Sequence, residues 1–292
     1  MMPGGGAVQY RYLKVNYSHD GRVVTVMLNR PEKRNAINRD MARELRQVVE
    51  AIREDPDLAV VIIRGAGEHY CAGDDISEFP RFSDDQSAVG AANFVMREVT
   101  LYQDTANAIE ELEKVVISVV DGNCIGGGLE LTMVSDLVIS TDRANFGIPE
   151  IDIDITPGWG GTSRLSRFVG RHKVKEMVLL GTLLNAEEAR ECGLVNWVVP
   201  PDRLDEATER VVGILLSKRS IVLKLMKFIT TKGLETTTQG ALAFEALSAM
   251  LSWTTGDGEP PAPPATRDFI VKGGDWQRRR QMVKELMKGG TP

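Results

Sequence analysis

Val116-Ile-Ser-Val-Val-Asp-Gly-Asn-Cys-Ile-Gly126-Gly-Gly-Leu-Glu130-Leu-Thr-Met-Val-Ser-Asp136, running on to Phe146-Gly-Ile-Pro-Glu150, is the stretch that decides the fold. The β-branched run at residues 115–120 reads as a buried strand. The glycines Gly126, Gly127 and Gly128 follow, and a helical pattern opens behind them. Glycines at such a point let a ligand approach the backbone closely. The first N–H groups of a helix have no internal acceptor and carry the positive end of its dipole. Glu130 falls within the first helical turn, and Glu150 follows a further strand-like run at residues 137–140. Two carboxyls beside an anion-stabilising backbone are the parts needed for acid–base work next to an oxyanion.

Composition sets the bounds. The chain has 292 residues, of which 42% are hydrophobic, enough for a large globular core. The net charge of −6 does not favour a nucleic-acid partner, and the basic run Arg278-Arg-Arg280 reads as a solvated helix face. Cys71, Cys124 and Cys192 form no metal-ligand spacing and leave an odd count, so small residues in a reducing compartment are expected rather than a disulfide framework. His19, His69 and His172 are too scattered for a metal triad, and no metal site is expected. No segment approaches the ~18 consecutive apolar residues of a membrane span. Met1-Met-Pro-Gly-Gly-Gly6 lacks the charged and apolar regions of a signal peptide. Residues 1–7 are therefore expected to be a disordered start, and the protein to be cytoplasmic.

Outward from the opening stretch, strands alternate with helices. Residues 10–17 and 22–28 read as strands around the Asp20-Gly21 turn signal. Residues 39–52 place Met41, Leu45, Val48, Val49 and Ile52 on one helical face, and Asp55-Pro56 stops that helix. Residues 58–63 form the next strand, residues 71–76 a second glycine-bearing loop, and residues 91–113 a long helix. Residues 81–86 are polar and expected to be exposed. Beyond Glu150, helices are expected at residues 163–168 and 173–180. Asn185 caps a short helix ending at Cys192-Gly193, and residues 195–199 are the last strand. From residue 204 the chain reads as helical: 204–216, 221–230, 242–253 and 277–287, with a Pro/Gly-rich loop at 256–264. This order predicts an α/β architecture with crossover units.

The motifs are specific enough to carry a resemblance. Leu28-Asn-Arg-Pro, Cys71-Ala-Gly-Asp-Asp-Ile76, Gly126-Gly-Gly-Leu-Glu130 with Asp136, Phe146-Gly-Ile-Pro-Glu150 and Pro157-Gly-Trp-Gly-Gly-Thr-Ser-Arg-Leu165 occur in order. With them the chain resembles the crotonase (enoyl-CoA hydratase/isomerase) superfamily, most like the enoyl-CoA hydratases. The resemblance implies a spiral of ββα units over residues 8–200 and a helical C-terminal region, residues 201–292, used in trimerisation. It implies a homo-trimer, or a hexamer of two trimers, with no nucleic-acid or membrane partner. It also implies an acyl-CoA substrate and no separate cofactor, CoA being part of the substrate.

By motif position, the backbone N–H groups of Asp74 and Gly127 are implied as the oxyanion hole for a thioester enolate, and Glu130 and Glu150 as the catalytic pair. The implied reaction is reversible syn hydration of an α,β-unsaturated acyl-CoA, with Glu130 taking the proton of the attacking water and Glu150 giving one to Cα. Lys33, Ala36, Ala72, Asp75, Ile76, Phe269 and Lys272 are the candidate CoA contacts, with Arg34 a further phosphate partner. Each is equally readable as a plain surface residue. Phe79, Phe94, Trp159 and Trp253 are candidates for an acyl pocket, though core packing explains each as well.

Plainer readings stand beside these. Glu130 is compatible with an ordinary first-turn glutamate, and Gly126 to Gly128 with a structural turn. The Gly-x-Gly-x-x-Gly dinucleotide pattern is absent there. Cys71 reads as a packed small residue rather than a nucleophile. The sequence also departs from the family. Asp152 and Asp154 follow Glu150, with Asp154 where a glycine is expected; they retune the pair, bind a polar acyl group, or face solvent on an alternating strand. Asp74 replaces a small or apolar residue, and Val115 stands where proline is frequent. The competing functions are double-bond isomerisation, ketoacyl-CoA C–C hydrolysis, and a non-catalytic RNA-binding or scaffold role.

Overall fold

A computed structural model describes residues 9–79 and 88–254. Strands β1 (Leu13–Ser18) and β2 (Val23–Leu28) form an antiparallel hairpin. Its turn runs through His19, Asp20 and Gly21, all at positive φ. Helix α1 (Arg39–Glu54) starts on Asn38, whose side chain accepts the Met41 N–H at 2.9 Å. It buries the face containing Met41, Leu45, Val48, Val49 and Ile52, the stripe that its period predicts.

Strand β3 (Val60–Gly65) leads through the loop at residues 66–79 towards helix α2 (Ala88–Glu110). Then come β4 (Val115–Val120), β5 (Asn123–Ile125), the short helix α3 (Gly127–Thr132), β6 (Leu137–Thr141) and β7 (Asn145–Gly147). Glu150–Ile153 is a 3-10 turn. Helices α4 (Gly161–Val169) and α5 (Arg171–Leu180) follow it, then β8 (Leu184–Asn185), α6 (Ala186–Glu191) and β9 (Trp197–Val199). Helices α7 (Leu204–Leu216), α8 (Ser220–Lys232) and α9 (Thr238–Thr254) close the described chain.

The larger sheet has the order β1-β2-β3-β4-β6-β9, parallel from β2 onward. Both of its faces are covered. On one side Val24, Val26, Val61, Ile63 and Val116 join the core with α1. On the other, Val60, Ile62, Ile117, Val119 and Ile139 pack with Leu204, Ala207, Val211 and Val212 of α7. Burial on both faces is why these strands read as unbroken apolar runs instead of alternating.

A smaller sheet, β5-β7-β8, stands beside it, and an isolated bridge from Cys71 to Cys124 continues it into the loop after β3. Successive turns of chain thus give one strand to each sheet: β3 and the Cys71 bridge, β4 and β5, β6 and β7. This is the expected spiral. The sequence reading missed β5, β7 and β8, which are two or three residues long and too short to show a period.

Asp152 and Asp154 lie on and after the 3-10 turn, not on an alternating strand. Asp154 caps that turn in the left-handed region at φ 58°, where glycine is the easiest residue and Asp is tolerated. The backbone therefore explains why glycine is expected at this position. Residues 1–7, the polar run 81–86, the loop 256–264, the helix at 277–287 and the contacts Phe269 and Lys272 lie outside the described residues. Among the described residues no helix is long and apolar enough to cross a membrane.

Candidate active site

The site forms where the loop at residues 71–76 meets the start of α3. Gly73 and Gly126 both have positive φ, 94° and 54°. They are in close approach: a Cβ on Gly73 would lie 3.1 Å from the Ile125 carbonyl oxygen and 3.6 Å from the Gly126 Cα. The loop is anchored on the other side by residues 30–37. The Ile37 N–H donates to the Gly73 carbonyl and the Asp75 N–H to the Ile37 carbonyl, both at 2.8 Å.

Because the Gly73 carbonyl points at Ile37, the N–H of the same planar peptide, that of Asp74, points the opposite way. Among the described residues the Asp74 N–H and the Gly127 N–H donate to no backbone or side-chain acceptor. Buried N–H groups are almost always paired, so two adjacent free ones form a ready acceptor site.

The two sequence-predicted glutamates come together here. Glu130 is 1% exposed. Its Oε1 accepts the backbone N–H of Trp159 at 2.9 Å and of Gly161 at 2.6 Å. Glu150, at the head of the 3-10 turn, lies against the other side of the glycine run, with Oε1 2.8 Å from where a Gly126 Cβ would stand. The Oε2 atoms of both glutamates are buried, and among the described residues neither has a hydrogen-bond partner.

Burial pushes the Glu130 carboxyl up to about 8; the Gly161 N–H opposes this, and charge on Glu150 and Asp74 adds to it. Burial likewise pushes Glu150 up to about 7, against its own backbone N–H and with help from Asp74. Such a pair titrates as a unit. Both carboxyls are raised towards neutral pH, where a group can both take and give a proton, as proton exchange with a water and a carbon requires.

Sequence reasoning left the Asp74 side chain unexplained. Its Oδ1 accepts the Trp159 indole N–H at 2.9 Å. Burial pushes this carboxyl up to about 6, with the indole N–H pulling the other way. Trp159 itself was an acyl-pocket candidate, and this is corrected: it is fully buried behind the site, stacked on Tyr102 with ring centres 4.8 Å apart. The Pro157-Gly-Trp-Gly-Gly run was the only signal in the sequence that pointed to it.

The pocket beside Asp74 is a cavity of about 310 Å³ whose apolar wall includes Ile37, Phe79, Phe94, Val99, Tyr102 and Ile155. Asp154 lines it, together with Arg39, Glu78 and Glu98, while neither Glu130 nor Glu150 does. Phe79 and Phe94 thus fit the acyl-pocket expectation. Two other candidates do not. Asp152 is exposed and its carboxylate lies against Gly181 at the end of α5. Trp253 lies on α9, 71% exposed.

The candidate CoA contacts Lys33, Ala36, Ala72 and Ile76 gather on one edge, held by the Ala72 N–H donating to the Arg34 carbonyl at 3.0 Å. Lys33 and Arg34 are exposed, and Ile76 is 62% exposed. Asp75 spends its carboxylate on Arg30 at 2.8 Å and on the Ser77 hydroxyl at 2.6 Å, which braces the two loops, and the residue lines the cavity beside the site. Cys71 is a packed residue as expected: it is fully buried, and burial pushes its thiol up to about 12, which removes thiolate character.

Comparison with known proteins agrees with this geometry. The enoyl-CoA hydratase/isomerase family matches residues 18–255. A crotonyl-CoA hydratase of Syntrophomonas wolfei is 36% identical over 247 residues, covering 84% of this chain and 92% of that protein. A short-chain-enoyl-CoA hydratase of Clostridium acetobutylicum is 36% identical over 228 residues, 78% of this chain and 84% of that protein. The crystal structure of an enoyl-CoA hydratase from Bacillus anthracis superposes with a TM-score of 0.79 at 30% identity, covering 90% of this chain and 97% of that one. The motifs, the spiral of strands and these matches agree: the chain belongs to the enoyl-CoA hydratase/isomerase family.

Proposed function

We propose that the protein is a lyase that reversibly hydrates α,β-unsaturated acyl-CoA thioesters. The observation that carries this reading is the pair of buried, unpartnered Oε2 atoms on Glu130 and Glu150, set beside two free backbone N–H groups. The thioester oxygen accepts from the Asp74 and Gly127 N–H groups. As water adds to Cβ, negative charge gathers on that oxygen, and fixed N–H dipoles stabilise it without reorganising; one such donor is worth about 3 kcal/mol. One glutamate takes the proton of the attacking water. The other gives a proton to Cα, so hydroxide and proton add across the double bond and the pair ends with the same proton count.

The acyl chain occupies the cavity lined by Phe79, Phe94 and Tyr102, and the CoA phosphates meet Lys33 and Arg34 at the loop edge. The chemistry uses carboxyls and backbone N–H groups alone. The rival enolate reactions drew their support from Asp152 and Asp154. Asp152 turns away from the cavity and Asp154 lines it, so one of those two carboxyls, not both, remains to support them. Met226 and Phe228 of α8, with Leu242, Met250 and Trp253 of α9, are large exposed apolar side chains, in line with an oligomer built on the helical region. Light scattering is expected to give a trimer or hexamer mass, and a monomer contradicts that assignment.

The test of function is a panel of enoyl-, hydroxyacyl- and ketoacyl-CoA esters followed by mass spectrometry. The expected result is an enoyl ester that gains one water. Cleavage of a ketoacyl ester with no hydration of any enoyl ester overturns the reading.

A further inference from the structure

Trp159 touches Glu130, Asp74 and Gly127 at once. Its backbone N–H donates to Glu130 Oε1 at 2.9 Å. Its indole N–H donates to Asp74 Oδ1, also at 2.9 Å. The pair so formed packs on Gly127: a Cβ there would lie 3.1 Å from the indole nitrogen and 3.2 Å from Asp74 Oδ1. The residues that carry both free N–H groups therefore contact the indole, and Glu130 is held by the backbone N–H of the same residue.

That side chain is itself immobilised. The ring is fully buried and lies parallel to Tyr102, with 2° between the planes. The Trp159 carbonyl accepts from Arg164 at 3.0 Å, and Arg164 is paired with Glu110 at 2.8 Å.

The bridge from Gly73 to Ile37 fixes which way the Asp74 N–H points. It does not fix how far the loop stands from α3, because Ile37 belongs to neither. Two donors must converge on one oxygen within a few tenths of an ångström, and a misplacement of about 1 Å costs on the order of 10²-fold in rate. Cys71 holds the start of the loop to the strand before α3, its N–H donating to the Asn123 carbonyl at 2.9 Å and its carbonyl accepting from the Ile125 N–H at 3.0 Å, and the Asp74 end, three residues on, needs a tie of its own at that tolerance.

We propose that Trp159 is a positioning residue. Its indole N–H ties the Asp74 loop to the Glu130–Gly127 side of the site and so sets the separation between the oxyanion donors and the acid–base pair. This assignment rests on the hydratase reading above. It accounts for a polar side chain at residue 74, where the backbone N–H alone would serve: Asp74 is the acceptor that the indole needs. It also accounts for a tryptophan inside a glycine-rich turn, since a shorter side chain at residue 159 does not span to the loop.

The test uses Trp159→Phe, which keeps a stacking ring and the backbone N–H but removes the indole donor. Asp74→Ala removes the acceptor, and Asp74→Asn keeps one in neutral form. With crotonyl-CoA, Trp159→Phe is expected to lower kcat by about 10- to 100-fold with KM little changed. Asp74→Ala is expected to match it, and Asp74→Asn to rescue most of that loss. The double variant Trp159→Phe/Asp74→Ala is expected to be no slower than the slower single, because both remove the same tie.

A second readout does not need turnover. Butyryl-CoA labelled with ¹³C at the thioester carbonyl, bound to the protein, should show its carbonyl stretch lowered by the two N–H donors. Trp159→Phe should lose much of that shift and Asp74→Asn should keep it. Single-variant losses that multiply in the double variant, or a Trp159→Phe protein with wild-type kcat and wild-type carbonyl shift, overturn the tie and leave the hydratase reading intact. A wild-type protein that neither hydrates crotonyl-CoA nor shifts the carbonyl overturns the hydratase reading, and the tie with it.

Discussion

The two ends of α3 hold carboxyls in opposite circumstances. Beyond its C-terminal end, Asp136 accepts the Val116 N–H at 2.7 Å and pairs with the Lys227 ammonium at 2.8 Å. Lys227 in turn donates to the Lys114 carbonyl at 3.0 Å. Burial raises the Asp136 carboxyl, but Lys227 and these donors keep it partnered. At the other end, Glu130 spends Oε1 on the chain and leaves Oε2 buried without a partner, and Glu150, against Gly126, also leaves its Oε2 without one. Both ends hold carboxyls, yet Asp136, with 23% of its side chain accessible, is saturated by the fold, while Glu130 is buried and is not. A saturated buried carboxyl braces structure. An unsaturated one costs stability and has a lone pair left for chemistry.

Three substitutions bear on that contrast. The largest effect is expected at the Glu130 end. A methyl group at residue 161 would lie 2.7 Å from Glu130 Oε1 and 2.8 Å from its Cγ, so Gly161→Ala must displace the carboxyl and strain the N–H bond that aims it. Steady-state hydration assays should show kcat lower by about 10²-fold.

At the Asp136 end the effect should be on stability and not on chemistry. Asp136→Ala leaves Lys227, itself only 7% exposed, without its counter-charge. Because Asp136 retains 23% exposure, the cost belongs at the low end of the usual range for a broken buried pair, about 2–3 kcal/mol. Urea melts should report that loss, while kcat of the folded protein stays at the wild-type value. A loss of turnover with unchanged stability would erase the distinction between the two ends.

The third is a pH dependence. Glu130 has a folded pKa of about 8 against an ordinary 4.5. Its folded pKa is raised, so the folded state binds the proton more tightly. Its contribution to stability is fully present below about pH 4.5 and is lost as pH rises towards 8. Glu130→Gln removes that titration and keeps an oxygen for the Trp159 and Gly161 N–H groups. The variant should match wild type at pH 4 and exceed it at pH 8 by on the order of 4 kcal/mol. Parallel melting curves at both pH values would contradict the burial of an ionisable Glu130.

The sequence exposes the large sheet and α1 because their signals are local. The run at residues 115–120 is apolar throughout since both faces of β4 are covered, and Met41, Leu45, Val48 and Ile52 recur at the helical period. Glu130 and Glu150 were legible through motif resemblance, not periodicity. What stayed hidden depends on contacts between distant residues. The Trp159–Asp74 hydrogen bond joins residues 85 apart in the chain, and it exists only because the spiral returns α4 to the loop after β3. Asp152 misled for a local reason. Ile151-Asp-Ile-Asp-Ile alternates like a strand, but the chain there is a 3-10 turn with Ile151 and Ile153 exposed at 44% and 46%.

The central claim is that the two carboxyls with unpartnered Oε2 atoms act on one water at the double bond. Its most direct test is the rate at which Glu130→Gln and Glu150→Gln hydrate crotonyl-CoA, followed as loss of the conjugated enoyl absorbance. Each variant should be slower than wild type by about 10³-fold or more while binding butyryl-CoA with nearly unchanged affinity. Either variant turning over at close to the wild-type rate contradicts the account.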